Sequence, residues 1–304
     1  MTMDVKHDTP EDETDPESGE EKLSGLQWWL NEAREMVMTV LVLLPFWLVF
    51  TSFIYELRVI PSESMVPTLL VGDRVTVAKF SYGYNRNSPA LGIGRWFTKD
   101  DVNDPDERLF GSMPKRGDVV VFRHPNDNIV LIKRLIGMPG DTLQMKDGQL
   151  IINGEPVKRE FVRRLRYRQK HKDADQRILV DAVEYRETLP NGVSYLTLDN
   201  VNKVGYENTP LFTIPEGDVF MMGDNRDNSE DSRSPYGHPE LAREQPYGWD
   251  RKVMNFTTPT AIGYVPLDHL LGRADTVLFT LYGCKETETT VCFKPRLWSS
   301  FKDK

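Results

Sequence analysis

From Met36 to Tyr55 the chain runs for twenty residues without a charge. At about 1.5 Å per helical residue that run is roughly 30 Å long, the thickness of a bilayer's hydrocarbon core. The apolar core of a cleaved signal peptide is shorter, about 7–15 residues, and lies nearer the terminus. A helix buried in a soluble core seldom goes so far without a charge. The run therefore reads as a membrane span, about 36–55. Ser24-Gly25-Leu26-Gln27 has capping-box spacing, which starts the helix there and sets Trp28 and Trp29 at the interface. Pro45 falls inside the span, where membrane helices tolerate it.

Past the span the period changes from helical to alternating. Arg74 to Phe80 alternates at period two, the mark of a strand with one buried face. Residues 83–117 are rich in Gly, Pro, Asn and Asp and read as an exposed excursion. Val119–Phe122 and Ile129–Ile132 are short continuous apolar runs around a turn at Pro125–Asn128, as expected of strands buried on both faces. Asp147-Gly148 between Leu143–Met145 and Leu150–Ile152 predicts a two-residue hairpin. Pro190-Asn191-Gly192 joins Val183–Leu189 to Val193–Leu198 in the same manner. The class is mainly β.

Charge alters this picture in one place. The net charge is −8, but residues 1–22 hold nine acids against Lys6 and Lys22, so the tail alone carries −7. Its composition reads as disordered, and the near-neutral remainder gives no sign of a polyanionic partner. Lys158–Arg177 has nine basic residues with Phe161 and Tyr167 among them. Such a stretch fits anionic headgroups or nucleic acid, but its apolar residues form no consistent stripe, and a solvated strand edge is the simpler reading. Lys22 and Arg34 before the span against Arg58, Arg74 and Lys79 after it leave orientation open. Cys284 and Cys292 bracket seven residues between β-rich runs. A hairpin would bring them within disulfide reach, which favours an oxidising compartment; two buried thiols are the alternative. No zinc spacing occurs.

Ser64 is the candidate for chemistry. It lies nine residues beyond the span, held between Pro61 and Pro67, and nine extended residues reach at most about 30 Å. A serine nucleophile needs a base. His7, His124, His171, His238 and His269 occupy polar or turn-rich surroundings and read as surface residues. Lys133 ends the apolar run Val130–Ile132, where desolvation lowers an amine's pKa, although a snorkelling surface lysine is the simpler reading of this residue alone. Bringing it near 7–8 takes roughly 3–4 kcal/mol, which burial supplies.

The segments Pro61–Leu69, Arg116–Phe122, Ile132–Asp141, Gly223–Arg233, Gly263–Pro266 and Gly272–Ala274 stand in the order of, and resemble, the motifs of bacterial type I signal peptidases. The resemblance implies Ser64 as the acyl-forming nucleophile and Lys133 as its general base. The Ser62 hydroxyl and the Ser64 N–H would form the oxyanion hole. Ser229 would hydrogen-bond the Lys133 amine, with Asp231 and Arg233 supporting that loop. Ile60, Met65, Leu69, Leu131 and Ile132 would help line small pockets for the substrate's −1 and −3 side chains. The implied fold is a signal-peptidase-like antiparallel β catalytic domain, 58–154 and 212–304, with an inserted β subdomain, 155–211. An acidic cytoplasmic tail, 1–23, and a membrane helix, 24–57, would precede it.

The same resemblance implies signal-peptide removal from exported preproteins with neither metal nor other cofactor. Its partners would be those preproteins and membrane lipid, with a secretion machinery allowed and no nucleic acid. It implies a single-pass protein of the bacterial inner membrane with its catalytic part on the periplasmic face. Two departures stand out: a long aromatic-rich segment, 235–262, and one span where some relatives have two. A membrane-anchored module that only binds exported chains would lack Ser64 or Lys133. A self-cleaving repressor would need a DNA-binding helix-turn-helix in place of the span. A peptidase dedicated to one substrate remains compatible with the residues.

Overall fold

The computed structural model describes residues 25–84, 110–125, 129–170, 177–201, 206–234, 262–281, 293–294 and 296–300. Helix α1 (Gly25–Phe53) includes Pro45 and is long and apolar enough to cross a membrane. It stops two residues before Tyr55, the expected end of the span, because Tyr55 already belongs to strand β1 (Tyr55–Val59). Glu56 explains the change: it pairs with the buried Lys79 at 3.0 Å, which ties β1 to the body of the protein.

The remaining strands are β2 (Asp73–Ala78), β3 (Val119–Arg123), β4 (Val130–Gly137), β5 (Thr142–Lys146), β6 (Gln149–Ile152) and β7 (Glu155–Pro156). Then come β8 (Lys158–Lys170), β9 (Arg177–Thr188), β10 (Ser194–Asn200), β11 (Phe212–Thr213), β12 (Asp218–Met222), β13 (Val265–Pro266), β14 (Leu270–Thr280) and β15 (Leu297–Ser300). One sheet has the order β1-β2-β14-β3-β4-β12-β13, with β15 also on β14. A second is β10-β9-β8 and a third β11-β5-β6-β7. All strand pairs are antiparallel.

The predicted hairpin joins β5 to β6, with Asp147 and Gly148 both at positive φ (50° and 74°), the pair of conformations a type I′ turn requires. Strand β3 is buried along Val119–Phe122, as its apolar run demands. Strand β4 is not uniform: Val130 is exposed, Leu131 and Ile132 are half-buried, and Lys133–Gly137 are buried. Pairing accounts for this. Strand β3 covers Val130–Arg134 on one side, while β12 pairs only with Arg134, Leu135 and Gly137 on the other. The first half of β4 is thus open along one edge among the described strands.

Of the basic run, Lys158–Lys170 form β8, the edge of the three-stranded sheet among the described residues. Leu165 and Tyr167 point inward and Phe161 outward. The acidic tail, residues 235–261, and Cys284 and Cys292 lie outside the described residues.

Candidate active site

Residues 64–70 make a turn whose alternate sides are apolar. Leu69 N–H donates to the Met65 carbonyl at 2.8 Å, one helical turn. Residues four apart then share a side. Met65 and Leu69 enter a cluster with Ile60 and with Val75, Val119 and Val277 of the large sheet, against which Ile132 packs. Val66 and Leu70 enter another, with Leu165, Tyr167, Ala182 and Leu198 of the three-stranded sheet. The turn is gripped from both sides, so Ser64 is held without its own side chain being used.

Ser64 is 6 % exposed and Lys133 4 %. Lys133 Nζ donates to Ser64 Oγ at 2.5 Å, across 69 residues of sequence. Ser62 is exposed, and its Oγ lies 3.3 Å from Ser64 Oγ. Burial lowers the Lys133 pKa from 10.5 to about 8, while Asp231 and Glu230 hold it from falling further. A larger share of such a lysine is neutral near pH 7 than of an ordinary one, and a neutral amine can accept a hydroxyl proton along the same contact.

The segment Gly223–Arg233 lies beneath. Asp231 accepts two bonds from the Arg233 guanidinium, Nε at 2.9 Å and Nη2 at 2.8 Å, and a third from Gly223 N–H at 2.9 Å. Burial alone would raise the Asp231 pKa, but the Arg233 charge and these bonds hold it below the usual carboxylate value. Arg233 also donates to the Arg226 carbonyl at 2.8 Å. The expected bond from Ser229 to Lys133 is not made. Ser229 is buried, and its Oγ has no hydrogen-bond partner among the described residues. The Lys133 amine is turned instead to Ser64, its contact at hydrogen-bond distance.

Of the expected pocket residues, Ile60, Met65, Leu69 and Ile132 share one cluster, while Leu131 packs against another with Val120 and Phe122. Leu131 and Ile132 are consecutive on a strand and so face opposite ways. His124 departs from its expected surface position and is 2 % exposed. A cavity of ≈ 300 Å³ lies beyond the turn, lined by Pro67, Thr68, Leu70, Glu184, Phe293 and Arg296 among others, and touches neither Ser64 nor Lys133.

Sequence reasoning passed over Gly223 and Asn225. A Cβ on Gly223 would fall 2.2 Å from Ser229 Oγ and 2.6 Å from the Ser64 carbonyl, so only glycine fits. Asn225 N–H donates to the Ser64 carbonyl at 3.0 Å, and its side-chain amide to the Glu63 carbonyl at 3.1 Å. The signal was present, since both sit in the quoted Gly223–Arg233 segment. Two further buried pairs anchor that segment: Arg134 to Asp224 (2.8 and 2.7 Å) and Arg226 to Glu187 (2.9 and 2.6 Å).

A family model described as signal peptidase, peptidase S26, matches residues 33–279. A signal peptidase I of Rickettsia bellii is 32 % identical over 237 residues, covering 74 % of this chain and 72 % of its own length. One from Rickettsia prowazekii is 37 % identical over 200 residues, covering 62 % of this chain and 69 % of its own length. A solved signal peptidase I from Enterococcus faecalis aligns over 53 % of this chain and 97 % of its own, at 21 % identity and a TM-score of 0.26.

Proposed function

From the premise that the chain belongs to the peptidase S26 signal peptidase family, and is a serine endopeptidase that removes signal peptides, we propose that it works through Ser64 and Lys133. The observation that carries this reading is the 2.5 Å contact between Lys133 Nζ and Ser64 Oγ, inside burial that lowers the lysine to about 8. The neutral amine takes the Ser64 proton as Oγ attacks the scissile carbonyl, and returns it to the leaving amine. Water then repeats the cycle on the acyl-enzyme. The developing oxyanion is met by the Ser62 hydroxyl and the Ser64 N–H. Asp231 and Arg233 hold the supporting segment, and Ser229 is free to meet the amine once substrate displaces it from Ser64.

An extended substrate pairs with the open edge of β4 at Val130–Ile132, as an added strand. Its −1 and −3 side chains enter pockets bordered by Ile60, Met65, Leu69, Leu131 and Ile132, which exclude anything much larger than alanine. Residues 58–154 and 212–304 make the catalytic part, with 155–211 inserted. The protein is membrane-anchored. We place its catalytic part on the periplasmic face of a bacterial inner membrane, with α1 as a single span, lipid around it and preproteins arriving from the secretion machinery. Shared tethering raises the effective concentration of substrate.

The test uses wild type, Ser64→Ala and Lys133→Ala, purified in detergent and given a preprotein with Ala at −3 and −1. Cleavage after the −1 Ala by wild type alone supports the assignment. A Lys133→Ala enzyme that cuts as well as wild type would return the base to the histidines.

A further inference from the structure

We propose that Arg296, with Asp73 and Thr280, is a positioning device that fixes the exit of the Ser64 turn from the far end of the chain. It rests on the reading of Ser64 as nucleophile. Thr68, four residues after Ser64, is held by two arginines. Arg296 Nη1 donates to its carbonyl at 2.7 Å. Arg134 Nη2, on the residue following Lys133, reaches its hydroxyl at 3.3 Å. The next point of attachment is Asp73, fully buried at 0 % exposure. Its Oδ2 accepts Leu70 N–H at 2.8 Å and pairs with Arg296 Nη2. Its Oδ1 accepts the Thr280 hydroxyl at 2.6 Å. Thr280 Oγ1 in turn accepts Arg296 N–H at 3.0 Å, and Thr280 N–H donates to the Arg296 carbonyl at 3.0 Å.

The arrangement closes a loop of contacts: nucleophile turn, start of β2, end of β14, and the segment leading into β15. None of these residues touches the reacting atoms. Arg296 acts by denying the turn freedom to shift. The Ser64 and Lys133 atoms are in hydrogen-bond contact only while the turn keeps its place on β4, and about 1 Å of misplacement costs on the order of a hundredfold in rate. Charge-assisted bonds from a guanidinium suit this use, since they fix direction as well as distance.

The experiment compares Arg296→Ala, Arg296→Lys, Thr280→Val and, as a control, Arg166→Ala, whose exposed pair with Asp181 lies on the face of β8 opposite to Leu165 and Tyr167. A serine-directed acylating reagent gives two readouts. The final fraction of chains acylated counts intact sites, and the rate constant reports the placement of Ser64. Preprotein cleavage supplies kcat and KM separately. Arg296→Ala is expected to lower kcat and the acylation rate constant by about a hundredfold, with KM and the final fraction kept. Arg296→Lys recovers part of the loss, Thr280→Val shows a smaller loss of the same kind, and Arg166→Ala shows none. A final fraction that falls in step with activity, at an unchanged rate constant, would reduce Arg296 to a fold-stabilising residue and overturn the proposal. Should Arg296→Ala fail to fold, Thr280→Val carries the same two readouts. Residual cleavage by Ser64→Ala would sink the nucleophile assignment itself, an outcome that none of the Arg296 readouts mimics.

Discussion

Two chain segments meet at the dyad, and they are built on opposite principles. Gly223–Arg233 is saturated with charge: Asp224, Arg226, Asp231 and Arg233 are each buried and each in a two-bond ion pair. The turn 64–70 is packed by apolar side chains facing two sheets and, Lys133 apart, meets charged groups at its exit, where Thr68 and Leu70 bond to Arg296, Arg134 and Asp73. Buried ion pairs resist loss of either partner but add little net stability over apolar packing. Apolar packing stabilises without presenting charges to a nucleophile. The supporting segment is therefore charged along its length, while the turn carries its other charged contacts at Thr68 and Leu70, past Ser64.

The comparison breaks first at Arg233. Arg233→Met leaves Asp231 buried without its partner, and a loss of about 3–5 kcal/mol is expected, readable as a lowered midpoint in chemical unfolding of the detergent-solubilised protein. An equal loss from Val66→Ala would show that the two segments do not differ. Lys133→Met tests the opposite sign. Its folded pKa, about 8, lies below the unfolded 10.5. The folded state thus carries the full cost of a buried ammonium below about pH 8, sheds it as pH rises, and is free of it above about 10.5. The variant should be more stable than wild type at pH 7, by up to about 3 kcal/mol, with the advantage gone above that upper value.

Gly223→Ala sharpens the contrast without touching charge. Its Cβ must displace Ser229 or the Ser64 carbonyl, and kcat should drop by about a hundredfold; near-normal kcat would mean the two segments are not in register with each other. The pH profile comes next. Activity should rise with pH to a plateau above about 8, following the neutral amine, and a limb near 6.5 would point to histidine. The smallest effect belongs to the outer sheet, where Arg166→Ala, exposed with its partner Asp181, should leave the unfolding midpoint unchanged.

What sequence made legible was local. The uncharged run, the Asp147-Gly148 turn and the β3 run each specify their element within a few neighbours. So did the candidate dyad, but only through the motif order, because nothing in Val130–Ile132 says which hydroxyl Lys133 will meet. The missed features are non-local. Arg226 finds Glu187 across 39 residues, Arg134 finds Asp224 across 90, and Arg296 finds Asp73 across 223. No period or spacing encodes such partners. The Ser229 hydroxyl stands without the expected bond to Lys133 for a related reason: a motif names a residue and not the direction of its side chain.

The half-open edge of β4 has one more consequence. Backbone groups along an edge recognise other backbone groups, whatever side chains they carry, and only a segment whose own N–H and C=O groups are unspoken for can answer. A polypeptide paired within a helix or an inner strand offers none. On the proposed reading of β4 as the substrate's docking edge, selection tests foldedness before sequence, and a small-residue pair hidden inside a finished domain should escape cutting.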